Sequence, residues 1–145
     1  MTPHIEIDTQ PKTQLSGSEW IKLGLVTAFV SIAVVLAVQA LAIALWPEIA
    51  LFAPLDSYVR SALFTSIPVI GATFLLAWLV GRQERAPQRF ITISVIVLLV
   101  SIIPDYMLPV PNKTVLASSV AAFLHVVAAL IIVVMLLTGY QRSAR

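Results

Sequence analysis

The chain has 145 residues, of which 59% are hydrophobic and 11% charged, and its mean hydropathy is +0.98. Soluble domains contain about 25% charged residues, so this composition argues against a water-soluble domain and predicts an integral membrane protein. The net charge is +2, but the basic residues lie between apolar runs rather than in a nucleic-acid-binding patch, and the lack of cysteine excludes disulfides and thiolate metal sites.

The first half of the chain contains two predicted membrane spans. Residues 1–19 are polar, and we interpret them as an irregular, solvated cytoplasmic tail. The apolar run at residues 20–46 exceeds the roughly 20 residues needed to cross the hydrocarbon, and a tryptophan lies at each end, where indole rings prefer the interface. Pro47 ends this run, and a connection containing Pro54 leads to the second span at residues 60–81.

Two further spans are predicted in the second half. The third span, residues 90–109, follows the most strongly charged segment, whose arginines indicate topology and could also contact anionic lipid head groups: Arg82, Arg85 and Arg89. Thr114 is expected to cap the fourth span, residues 114–140, because a hydroxyl can accept a hydrogen bond from a free N–H at a helix start. Residues 141–145 form a second short tail.

The basic residues predict the orientation. One side of the spans carries Lys12, Lys22, Arg82, Arg85, Arg89, Arg142 and Arg145, and the other carries Arg60 and Lys113. Lysine and arginine are enriched in cytoplasmic loops, so both termini are predicted to be cytoplasmic. Short connections favour antiparallel neighbours. The predicted fold is an all-α, four-transmembrane-helix, up-down-up-down bundle, multi-pass in the cell inner membrane.

Polar side chains within the spans are candidate site residues, because hydrocarbon does not solvate them. His125 lies near the predicted bilayer centre, on a stripe of small residues spaced three and four apart. The other candidates fall in the outer half and would line one polar cavity open to the outside: Gln39, Ser101, Asp105 and Ser118. Alternatively, Asp105 lies at the water interface, where Pro104 ends the third helix. Pro68 is expected to disrupt the second helix. The cytoplasmic half is expected to be almost purely apolar.

His125 is compatible with several chemistries. A neutral imidazole bonded to a facing helix would lock the bundle, whereas an exposed one could relay protons or bind a metal or pigment. Bis-histidine haem needs two axial histidines, but a chlorophyll-type pigment needs only one. Ser118 is two turns away, too far to be activated as a nucleophile, so no enzyme is predicted. No carboxylate is expected at depth, which argues against a proton-driven multidrug exporter.

Short motifs carry a resemblance to a known family. The third span contains Ser101-Ile102-Ile103-Pro104, Thr114 opens the fourth, and the histidine lies in Phe123-Leu124-His125-Val126-Val127-Ala128-Ala129. Over about residues 20–140 the chain resembles a family of small bacterial four-helix membrane proteins known only as a domain of unknown function. The resemblance implies no activity, but it implies that Pro104, Thr114 and His125 belong to one site.

Three functional hypotheses follow. The leading one is a non-enzymatic structural or accessory subunit that packs in a homo-oligomer or a larger membrane complex, with the bilayer and membrane proteins as partners and no nucleic acid. The second is binding or transport of a small neutral or cationic ligand in the outer half. The third is ligation of haem or a chlorophyll-type pigment by His125 in a respiratory or photosynthetic assembly; no other cofactor and no metal site is expected.

Overall fold

The computed structural model describes residues 15–143, which form four α-helices and one 3-10 helix and contain no β-strand. The α-helices are α1 (Gly17–Leu45), α2 (Tyr58–Val80), α3 (Ala86–Met107) and α4 (Val115–Ser143). Each is long and apolar enough to cross a membrane, so the prediction of four apolar helices of spanning length is confirmed. Most of the predicted N-terminal tail lies outside the described residues.

The helix boundaries differ from the predicted spans at both chain ends. α1 begins at Gly17 because Ser16 and Glu19 form a capping box. The Glu19 N–H donates to Ser16 Oγ (3.4 Å), and the Ser16 N–H donates to the Glu19 carboxylate (2.7 Å). α4 continues to Ser143, so residues 141–143 are helical rather than part of a tail.

Neither proline within a span interrupts its helix. α2 continues past Pro68 to Val80, and α3 continues past Pro104 to Met107. The alternative in which Pro104 ends the third helix is therefore wrong. Each proline still lacks an N–H and leaves one carbonyl without its helical donor.

At the start of α4, the Ala117 N–H donates to Thr114 Oγ1 (3.0 Å), which confirms Thr114 as a cap.

The α1–α2 connection covers one end of the helices. Its first part, Pro47–Leu51, is the 3-10 helix. Ile49, Phe52 and Leu55 are at most 2% exposed and join a core cluster with residues of α1 and α4: Val35, Ala42, Ala117, Ala121 and Leu124. We call this the plugged end of the molecule.

The α3–α4 connection is tied to the plugged end. Asn112 adopts a left-handed backbone conformation (φ 56°), which asparagine tolerates better than most residues. Its Nδ2 donates to the Leu51 carbonyl (3.1 Å). Lys113 Nζ donates to the carbonyls of Tyr106 and Leu108, both at 3.0 Å, and so satisfies oxygens at the end of α3.

A second core cluster joins α2, α3 and α4 away from the plug: Val69, Leu76, Leu79, Ala86, Phe90, Ile132 and Leu136. α1 packs closely against α2 at Gly24, where an added Cβ would lie 3.1 Å from Thr73 Oγ1. α3 is the least covered helix, because no residue between Phe90 and Asp105 is buried. The middle of α3 therefore presents its side chains to lipid or to another protein.

Candidate functional site

The structure brings Asp105 of α3 and His125 of α4 together. The Asp105 Oδ2 and His125 Nδ1 atoms are 3.3 Å apart. Asp105 lies in the last turn of α3, and His125 lies about 15 Å into α4 at 1.5 Å per residue. Helical side chains lean toward the N-terminus of their own helix, so the two side chains can meet from different depths.

The Asp105 side chain is buried, with 8% of its surface exposed, whereas the His125 side chain is 41% exposed. The interpretation of Asp105 as a side chain at the water interface is therefore wrong. Asp105 lies in the last turn of α3 rather than at its centre, so the expectation that no span has a carboxylate at depth stays a prediction. This pairing of a buried carboxylate with a half-exposed imidazole is the main polar feature of α3 and α4.

The tautomer of His125 follows from its contacts. Its Nδ1 lies 2.9 Å from the carbonyl oxygen of Ala121, and a carbonyl can only accept. Nδ1 therefore carries the hydrogen, and in the neutral ring Nε2 is an acceptor. The carbonyl that His125 bonds to belongs to its own helix, α4, and not to a facing helix as one interpretation predicted. The contact of His125 with a facing helix is its 3.3 Å approach to Asp105 of α3.

Two acceptor atoms at this pair have no hydrogen-bond partner among the described residues. One is Asp105 Oδ2: it is close to His125 Nδ1, but the Nδ1–H is directed at Ala121, and Oδ2 itself accepts no hydrogen bond. The other is His125 Nε2, since the ring bonds only through Nδ1. A molecule that donates hydrogen bonds would complete this arrangement.

Of the other predicted site residues, only Ser118 joins the pair. Its buried Oγ donates to the Asp105 backbone carbonyl (2.6 Å) and so ties α4 to α3. Ser101 Oγ donates instead to the Leu98 carbonyl of its own helix (2.8 Å). We refer to Asp105, Ser118 and His125 as the His125 site.

Gln39 belongs to the plugged end rather than to the His125 site. Its Nε2 donates to the Leu55 carbonyl (3.0 Å), while its buried Oε1 has no partner among the described residues.

A groove of about 360 Å³ lies between α1 and α4, but none of the predicted site residues lines it. Its lining is almost entirely apolar: Val38, Leu41, Ala42, Leu45, Trp46, Leu116, Ser119, Val120 and Phe123.

The sequence interpretation missed two buried hydroxyl groups in the first half of α1. Thr27 and Ser31 are 0% exposed, and neither hydroxyl has a hydrogen-bond partner among the described residues. They share one helix face with Val35 and Gln39, at spacings of four residues. This spacing in the sequence could have predicted that the two hydroxyl groups are buried. Both hydroxyl groups lie in the half of the bundle that was expected to be almost purely apolar, so that expectation is wrong.

The arginines of the α2–α3 connection do not contribute to the His125 site. The Arg82 guanidinium lies 5.1 Å from the centre of the Trp78 ring, an arrangement suited to a membrane interface. Arg85 and Arg89 are exposed. On the α1–α2 connection, Arg60 pairs with Asp56 at 2.7 Å.

Comparisons with protein-family models, curated proteins and solved structures find no match to this chain. The resemblance to the small four-helix family therefore stays a prediction. Within residues 15–143 no group of three or more His, Asp and Glu side chains could hold a metal ion.

Proposed function

We propose that this chain is a non-enzymatic, multi-pass protein of the cell inner membrane that binds a small neutral or cationic ligand at the His125 site. The observation that carries the proposal is the buried Asp105 carboxylate beside a half-exposed imidazole, with one acceptor atom of each side chain unused. Ionisable side chains within membrane spans are costly and mark functional sites more often than not.

The unused acceptors favour a binding site over a purely structural contact between the helices. Such a contact is most stable when its polar atoms bond to each other, because an unpaired buried acceptor has lost its water without compensation. Here Ser118 already joins the two helices through the Asp105 backbone, which leaves both side chains available. A hydrogen-bond donor placed at Oδ2 or Nε2 would restore the missing bonds.

The proposed topology is up-down-up-down with both termini in the cytoplasm. Contacts between the start of one helix and the end of another support it: Gly24 lies against Thr73, and the Trp20 and Tyr140 rings stack at 5.9 Å. The asymmetry of basic residues then assigns the plugged end to the outside.

Cysteine labelling tests this topology without background, since the chain has no cysteine. Glu84 and Pro109 are both exposed, in the α2–α3 and α3–α4 connections. A membrane-impermeant maleimide added to intact spheroplasts is expected to label Pro109→Cys, and to label Glu84→Cys only after permeabilisation. The reverse pattern would invert the proposed orientation.

The binding proposal is tested by extracting the protein from its native membrane with a polymer and identifying the retained small molecules by mass spectrometry. The control is the double variant Asp105→Leu/His125→Leu, which removes both side chains of the pair. A molecule enriched with the wild-type protein and lost from the folded double variant would support the site. Identical small-molecule profiles for the two folded proteins would overturn the proposal.

A second candidate function is that of an accessory subunit in a homo-oligomer or a larger complex, supported by the uncovered middle of α3. Residues such as Ile96 and Leu99 are more than half exposed there. Native mass spectrometry of the same extracts tests this candidate. A complex is expected, and it should dissociate when Ile96→Ala and Leu99→Ala are combined; an exclusively monomeric wild-type protein would rule it out.

A further inference from the structure

We propose that the ligand of the His125 site is a lipid-soluble aromatic alcohol, of the phenol or hydroquinone class, that approaches His125 sideways from the bilayer and donates its O–H to Nε2. This inference rests on the proposed function and adds the route and the ligand chemistry. It depends on where the site is closed, which atom is free and which side chains surround it.

The route follows from the closed and open sides of the site. At the plugged end, Ile49, Phe52 and Leu55 are buried beneath the connection, and Asn112 fastens the two connections together. Asp105 is covered as well, whereas 41% of the His125 side chain remains exposed. Because His125 is about 15 Å along α4, this exposed surface faces sideways at membrane depth rather than toward water. A ligand dissolved in the bilayer can reach it directly.

The chemistry follows from the tautomer. The Ala121 carbonyl holds the hydrogen on Nδ1, so Nε2 of the neutral ring offers a lone pair to a donor. An ether or ester oxygen has no hydrogen to donate, whereas a hydroxyl does. A cationic donor would have to leave water for hydrocarbon to take this route, which is costly, so the lateral opening favours a neutral alcohol.

The surroundings of His125 favour a flat ring. The helical turns directly before and after it contain only small side chains on its face: Ala121, Ala122, Ala128 and Ala129. At 100° per residue, Ala122 and Ala129 lie on one side of His125, and the more buried Ala121 and the core-packed Ala128 lie on the other. The partly exposed Ala122 and Ala129 leave space beside the imidazole for a planar group.

A haem fits these surroundings less well. Its propionates need basic partners, but at the plugged end Arg60 is paired with Asp56, and Lys113 donates to two backbone carbonyls. Within the described residues His125 is also the sole histidine, so one chain supplies a single imidazole ligand there. A visible absorption band from a tetrapyrrole in the purified protein would overturn the proposal.

The test measures the side-chain nitrogen resonances of His125 by NMR, with histidine-labelled protein in lipid nanodiscs. The chain has two histidines, so His4→Gln leaves His125 as the one reporter. The ligand used is para-decylphenol, and its methyl ether is the matched control, equally apolar but without a donor. The phenol is expected to shift the Nε2 resonance saturably, and the ether is expected to leave it unchanged.

Two variants test the location. Ala129→Leu should abolish the shift by filling the space beside the ring without removing the imidazole, and its undisturbed Nδ1 resonance would show that the site is folded. Leu41→Phe fills the apolar groove between α1 and α4 and should leave the shift intact. Equal responses to phenol and ether, or a shift that survives Ala129→Leu, would overturn the inference.

The outcomes separate this inference from the proposed function. If the phenol causes no shift while the native extract retains a different molecule that the double variant loses, the site binds ligand but the proposed class is wrong. If the phenol causes no shift and no molecule distinguishes the wild-type protein from the double variant, both proposals fall.

Discussion

Replacing His125 by leucine is expected to lower the free energy of unfolding by about 2 kcal/mol, because the change replaces the polar ring beside the buried Asp105 carboxylate by hydrocarbon. The loss stays moderate because the His125 side chain is 41% exposed and its Nδ1–H is directed at Ala121 rather than at Asp105. Removing Asp105 as well should recover most of the loss, because no buried carboxylate then remains. Unfolding in mixed micelles of a mild detergent and dodecyl sulfate measures both values.

Asp105→Leu alone is the matched control for this cycle. It removes the buried charge and leaves the His125 Nδ1–H bonded to the Ala121 carbonyl, so its cost should be well below that of His125→Leu. Additive costs in the double variant would mean that the two side chains do not interact. Recovery of stability with loss of the retained molecule would separate binding from folding at this site.

The four apolar helices were predictable because hydrocarbon imposes a simple requirement on any segment long enough to cross it. Backbone groups in the bilayer must bond within the chain, so an apolar run of sufficient length forms a helix whatever its neighbours are. The span predicted to reach residue 109 ran past Pro104, and α3 does continue to Met107. The alternative, that Pro104 ends this helix, is wrong because a proline costs only one backbone bond.

The site was only partly predictable. Composition and depth identified His125, Asp105 and Ser118 as candidates, but depth along a helix does not say which face a side chain occupies. Asp105 is buried because α4 packs against its face of α3 and Ser118 bonds to its carbonyl. Gln39 was grouped with them on depth alone, yet its donor meets Leu55 in a connection whose path is set by tertiary packing.

At the plugged end, a substitution of Phe52 is the second change expected to have a large effect on stability. Phe52 is 0% exposed, and Phe52→Ala should lower the free energy of unfolding by about 3 to 5 kcal/mol, through lost contacts and the cavity left behind. Leu51, its neighbour in the same connection, is 65% exposed, so Leu51→Ala should change stability by no more than about 0.5 kcal/mol. Thermal unfolding in nanodiscs compares the two variants.

A cysteine introduced at buried position 117 can report whether Phe52→Ala also opens the plugged end to water. Ala117 is 0% exposed in the core cluster beneath the plug, and the chain has no other cysteine to react when Ala117→Cys is introduced. A water-soluble maleimide should react slowly with this variant alone and much faster when Phe52→Ala is added. Equally slow reaction would mean that Phe52 is not needed to close this end. Fast reaction with Phe52 in place would mean that water already reaches this end, and the sideways route to His125 would lose its physical basis, because a ligand could also reach the site from water.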